Sequence, residues 1–182
     1  LKGKIDLIYV SPLLRARETA EIAAQAAGLS VEAIISDDRL IEMGMGELEG
    51  QHTDEFTRLF PTGAEYFNHS VKGVETRMET KRRVGAFLKD IDKKHEGKRI
   101  LIVSHDTPLW MITSAAGCLT IEQSLILKPK GIYFLRNAEV RTLEHSVLPH
   151  NAEYELDLHR PFIDDLELKT ENGAKLERVP DV

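Results

Sequence analysis

Cysteine is almost absent from this 182-residue sequence: Cys118 stands alone, so no intramolecular disulfide can staple the fold. A hydrophobic core must hold the chain together, and a reducing cytoplasmic setting is the expectation. Positive charge is also in short supply, with 24 Lys and Arg against 30 Asp and Glu for a net charge of −6. That balance excludes a broad basic footprint for nucleic acid, so any phosphate chemistry must draw on a local cluster of cations. No apolar run approaches membrane-spanning length and no secretion signal is present, so no membrane partner is expected. Glycine-rich loops of the nucleotide-binding kinds are missing. The histidines, at positions 52, 69, 95, 105, 145, 150 and 159, show no pairing at metal-ligand spacing, and no metal is expected.

What remains is globular composition: 42% hydrophobic and 30% charged residues, enough for one domain of ordinary size plus something extra. Residues 5–10 form a short apolar run of the kind buried on both faces of a parallel sheet, stopped by Ser11-Pro12. An alanine-rich helix is expected over 13–27, with Ala16, Ala20, Ala23 and Ala27 on one face and Gly28 as its C-cap. The same grammar recurs at 100–103, a buried strand, followed by the turn Ser104-His105-Asp106-Thr107 and a helix over 108–116 that opens on Pro108. Before it, a helix over about 75–95 carries Val84, Phe87, Leu88 and Ile91 as an apolar stripe. Two more short strands are expected at 131–135 and 138–143. Strands alternating with helices predict an α/β fold with a mainly parallel sheet.

Past residue 143 the character changes. Residues 144–153 read as a linker, and residues 165–179 read as a hairpin turning at Asn172-Gly173. A lone hairpin is marginally stable, and the sequence begins with Leu1 shortly before a strand, so the chain is expected to be a piece of a longer polypeptide.

In open α/β sheets, ligands bind at the carboxyl ends of strands, where loops lead into helix N-termini. Two turns here meet that rule, one carrying Arg15 in the first helical turn and one carrying His105 just after a strand. Together they would suit a doubly charged oxyanion. The acidic loop Glu42-Met43-Gly44-Met45-Gly46-Glu47 fits neither helical nor strand periodicity, and a carboxyl held near the pocket could act as a general acid. Between residues 51 and 72, Phe56, Phe60, Tyr66 and Phe67 read as core in preference to a substrate lid.

These residues carry a resemblance. Ser11-Pro12-Leu13-Leu14-Arg15-Ala16, the loop from Leu40 through Glu42 to Gly50, Gly73-Val74-Glu75-Thr76 with a following arginine, and Ile102-Val103-Ser104-His105 stand in the order of the histidine phosphatase superfamily. The match covers about residues 5–143. It implies a three-layer α/β/α, phosphoglycerate mutase-like domain over residues 1–143, lacking that fold's first strand. It further implies phosphoryl transfer through a phosphohistidine, with Arg15 and His105 binding the phosphoryl group, Glu42 as proton donor and a phosphorylated small molecule as substrate. The family's nucleophile lies in an Arg-His-Gly that this sequence lacks, and Asp106 stands where the family usually has glycine.

Residues 154–182 resemble a second family. Tyr154, Asp157, His159, Arg160, Pro161, Phe162, Ile163 and Asp164, with Gly173 and Arg178, are similar to a segment of isoleucyl-tRNA synthetase that re-enters the class I catalytic domain. That resemblance implies a parent that uses ATP, isoleucine and tRNA outside these residues; no cofactor is expected within them. The leading expectation is therefore a synthetase fragment bearing a phosphatase-like insertion. A free-standing phosphatase truncated at its N-terminus, or a catalytically dead structural domain, is the alternative.

Overall fold

The computed structural model describes residues 2–51, 58–60, 64–128, 133–152 and 156. Among the described residues, three parallel strands form a sheet: β1 (Leu7–Val10), β2 (Ile34–Ser36) and β3 (Ile100–Val103), in the spatial order β2-β1-β3. Val10 pairs with Ser36 on one side and Val103 on the other, so three strand ends finish at one edge. The ladder runs one step further, since the Ser11 amide donates to the Val103 carbonyl (2.9 Å).

Strand side chains alternate between faces. Ile8 and Val10, with Ile34, Leu101 and Val103, pack against helix α1 (Leu14–Ala27). Tyr9, with Leu7, Ile35, Ile100 and Ile102, packs on the opposite side in the larger cluster that includes Phe87 and Ile112. Three layers result, with the central strand β1 buried and the flanking β2 and β3 only partly covered, less than their apolar runs predict. Alanines bring α1 close to the sheet, but the buried set is Ala16, Ala20, Ala24 and Ala27, and Ala23 is only partly covered. A stripe drawn through Ala24 follows the ladder of four from Ala16, so the expected face was rotated by one residue. Gly28 ends the helix at φ +74° as a left-handed C-cap.

Helix α2 (Glu65–Asn68) precedes the long helix α3 (Arg77–Lys94), which opens on a capping box formed by Thr76 and Glu79 and buries Val84, Phe87, Leu88 and Ile91. Helix α4 (Asp106–Ala116) begins two residues earlier than Pro108 suggests. The first amides of a helix have no intrahelical acceptor, so proline is tolerated at the third position, and Asp106 at the first position suits the positive end of the helix dipole. Helix α5 (Ile121–Leu127) follows, capped by Thr120 and Gln123.

The expected strand at 138–143 is not formed. Arg136 and Glu139 close a turn, with the Glu139 amide on the Arg136 carbonyl (3.0 Å), and Ala138 sits at φ +61°, a left-handed conformation that no strand accommodates. Residues 133–135 are likewise outside any strand, and Gly131 and Ile132 lie outside the described residues. The hairpin at 165–179 and all of residues 157–182 also lie outside them. Among the described residues no helix is long and apolar enough to cross a membrane.

Candidate functional site

Ser11 and His105 follow paired ends of neighbouring parallel strands, and this brings them together across 94 residues of sequence. Ser11, fully buried, places its Oγ 2.8 Å from His105 Nε2. His105 is the N-cap residue of α4 but makes no side-chain cap, which leaves its ring to Ser11. Burial, then the positive charges of Arg15 and Arg83, pushes the His105 pKa down to about 4, so the ring is neutral at physiological pH. Arg15 lies in the first turn of α1 and is exposed, with its charge felt at both His105 and Glu42.

Glu42 reaches this edge on a loop that two tethers fix. Ser104 Oγ, next to His105, donates to the Leu40 carbonyl (2.7 Å). On the other side, the Gly44 amide donates to Glu75 Oε2 (3.0 Å) and the Glu75 amide donates to the Gly44 carbonyl (2.8 Å). Glu75 in turn is gripped by Arg83 through two bonds, Nε to Oε1 at 2.6 Å and Nη2 to Oε2 at 3.0 Å. Gly46 is obligatory in this loop: it stands at φ +52°, and a Cβ there would lie 2.4 Å from the backbone of Gly73 and Lys72.

The Glu42 carboxyl is pushed above the ordinary glutamate range, by burial first and then by the negative charge of Asp106. The Met43 amide, which donates to Glu42 Oε1 at 2.9 Å, and the cations Arg15 and Lys128 oppose that rise. Asp106 does not stand bare beside the pocket. Its Oδ2 is paired with Lys128, and its Oδ1 accepts the Phe134 amide at 2.6 Å. The carboxylate is thereby turned to partners of its own, and Lys128 also lies over the Trp110 ring, 5.1 Å from its centroid.

The structure thus brings Arg15, His105 and Glu42 near one edge, with Ser11, Arg83, Asp106 and Lys128 around them. Ser11 was legible as the residue ending the first strand, although it read there only as a stop. Arg83 was one of several arginines after Glu75, and only the helix geometry selects it. Nothing in the sequence linked Lys128 to Asp106.

Phe60 and Phe67 are core, as expected: Phe60 packs with Met43, Leu48 and Val74 beneath the acidic loop, and Phe67 meets Trp110 edge to face at 5.7 Å. Phe56 lies outside the described residues, and so does the side chain of Tyr66. Two histidines that their spacing kept apart do meet: His145 and His150 lie with ring centroids 4.3 Å apart, and His145 Nε2 is 2.9 Å from Asp92 Oδ1. Among the described residues no group of three possible ligands gathers to hold a metal.

The chain is similar to known proteins. Residues 1–145 match the family model of the histidine phosphatase superfamily, branch 1. Phosphoserine phosphatase 1 of Hydrogenobacter thermophilus is 33% identical over 110 residues, which span 58% of this chain and 51% of that protein. The Enterobacter protein named "probable phosphoglycerate mutase GpmB" is 38% identical over 117 residues, spanning 60% of this chain and 52% of its own. The chain therefore spans about half the length of the curated relatives it matches. Among solved structures, Bacillus stearothermophilus YhfR superposes with a TM-score of 0.57 at 26% identity, over 72% of this chain and 65% of its own. The mycobacterial glucosyl-3-phosphoglycerate phosphatase gives a TM-score of 0.59 at 20% identity, over 69% and 64% respectively, a likeness of fold.

Proposed function

Because this chain belongs to the histidine phosphatase superfamily, we propose that its strand-end site binds the phosphoryl group of a phosphorylated small molecule and protonates the leaving oxygen when the ester bond breaks. Arg15 supplies fixed positive charge, and His105 supplies a ring nitrogen for a phosphoryl oxygen. Glu42 supplies the proton. The observation that carries this reading is the pairing of opposite environments: a histidine held neutral and a carboxyl raised above its ordinary range, both within reach of one arginine's charge.

A phosphohistidine mechanism also needs a nucleophilic histidine. The sequence holds no Arg-His-Gly, so the residues named here account for anion binding and proton donation, and the nucleophile is not among them. Relatives named as a phosphoserine phosphatase and a phosphoglycerate mutase support a small phosphorylated substrate without selecting one. Of the readings raised by the sequence, the phosphatase one is the best supported, since the family match covers residues 1–145. An isoleucyl-tRNA synthetase segment at residues 154–182, with its ATP, isoleucine and tRNA, rests on the resemblance of those residues alone, and we do not advance it.

Titration calorimetry with inorganic phosphate tests the binding half. Arg15→Ala and His105→Ala should each weaken binding by at least about 10-fold, the worth of one charge-assisted contact. Glu42→Gln should leave binding within a few-fold while slowing aryl phosphate hydrolysis by the full-length gene product by about 100-fold or more. Phosphate affinity indifferent to Arg15 and His105 would overturn the reading.

A further inference from the structure

Ser11 is fully buried, and a buried hydroxyl must find partners for its proton as well as its lone pairs. Among the described residues its Oγ has two: the Leu13 amide, which donates to it at 3.4 Å, and His105 Nε2 at 2.8 Å. An amide N–H can only donate, so the Leu13 contact leaves the Ser11 proton without an acceptor. The acceptor is then Nε2, which presents its lone pair to the hydroxyl. A neutral imidazole carries one N–H, and a ring that accepts at Nε2 carries that proton on Nδ1. His105 is such a ring, since burial and then the charges of Arg15 and Arg83 lower its pKa to about 4.

The start of α4 agrees with this assignment. An N-cap side chain ordinarily accepts the amide of the second or third helical residue. His105 is the N-cap of α4, whose third residue is Pro108 and has no N–H, and the ring makes no cap bond. Nδ1 is therefore not used as an acceptor by the helix and is left to donate. We propose that Ser11 is a positioning residue that selects the tautomer of His105: its hydroxyl donates to Nε2, so that the ring offers Nδ1–H to an incoming anion. The purpose of that tautomer rests on the phosphatase reading, because the oxygens of a phosphate dianion accept hydrogen bonds and a bare ring nitrogen would repel them. The parallel register supplies the geometry. Val10 pairs with Val103, and the Ser11 amide donates to the Val103 carbonyl at 2.9 Å, so the residue after β1 is fixed beside the turn that carries His105.

Nitrogen-15 spectra of the histidine-labelled chain read the tautomer directly, without ligand and without turnover. They are recorded at about pH 7.5, above the ordinary histidine range. The His105 signals are identified by their loss in His105→Gln, and the expected pattern is a protonated Nδ1 with a bare Nε2. In Ser11→Ala the ratio of Nδ1–H to Nε2–H should fall by about 5-fold or more, the worth of one buried hydrogen bond. Ser114→Ala, which removes another fully buried hydroxyl, one bonded to Ser124, should leave the ratio unchanged. A proton on Nε2 in the unaltered chain overturns the proposal, and that measurement needs no variant to fold except the one used for assignment. An unmoved ratio in folded Ser11→Ala, or an equal change in Ser114→Ala, overturns it too. When inorganic phosphate is added, a response at Nδ1 supports the proposal and a response confined to Nε2 overturns it. Phosphate that perturbs neither nitrogen counts against the phosphatase reading alone, because the tautomer is read before any ligand is present.

Discussion

His105 is the residue whose chemistry the fold alters most. Burial and two arginines hold its pKa near 4 against an ordinary 6.5, so the folded protein refuses a proton that the unfolded chain accepts. Between about pH 6.5 and about pH 4 the unfolded state binds more protons at this position, and stability therefore rises with pH across that window and is flat in this respect above it. The urea midpoint of the chain should accordingly fall as pH falls through that window, and His105→Gln should lose that part of the acid sensitivity. An identical pH dependence in the variant would contradict the assignment. Arg15 and His105 were legible from their residue types at strand-to-helix turns, and Glu42 from the family resemblance of its loop. Their protonation states were not, because a pKa answers to burial and to charges as distant in sequence as Arg83 and Asp106.

At the scale of elements, the acidic loop is the segment that must be shaped correctly, and Gly46 is where its shape is most constrained. With φ at +52° and a would-be Cβ 2.4 Å from the backbone of Gly73 and Lys72, Gly46→Ala should destabilise the protein by about 2–4 kcal/mol. Chemical denaturation measures this, and an unchanged midpoint would mean that the approach of the two loops is not tight. The strands and the long helices could be read from sequence because their periodicities are local: Val84, Phe87, Leu88 and Ile91 share one face of α3 whatever surrounds it. The segment 138–143 misled for the same reason. Its alternation suits a strand, but the turn closed by Arg136 and Glu139 puts Ala138 at a positive φ, and no pattern of hydrophobicity reports that. Helix α4 begins before Pro108 because its first amides need no intrahelical acceptor and Asp106 suits its positive end.

Among the described residues, one thin sheet separates two of the three hydrophobic clusters. The smaller is sealed by alanines on Ile8 and Val10, and the larger is built around Phe67, Phe87 and Trp110. Since every strand feeds both cores, they should melt together. Phe87→Ala, which removes a fully buried ring standing edge to face with Tyr9 at 5.2 Å, should cost about 3–5 kcal/mol. Backbone circular dichroism and the fluorescence of Trp110, the sole tryptophan, should then report one shared transition, and separated transitions would refute a single cooperative unit. The sequence by itself determined the alternation of strand and helix, the burial of β1 in the sheet, and the places of Arg15 and His105 at strand-to-helix turns. Each of these depends on local pattern or on a residue's place at the end of a strand. Only the tertiary structure decided that Ser11 meets His105, that Arg83 rather than its neighbours braces Glu75, and that Asp106 is answered by Lys128. Those contacts join residues between eight and 94 positions apart. Pairing at such range is set by the parallel register of β1 and β3 and by the packing of helices on the sheet, which no short stretch of sequence encodes.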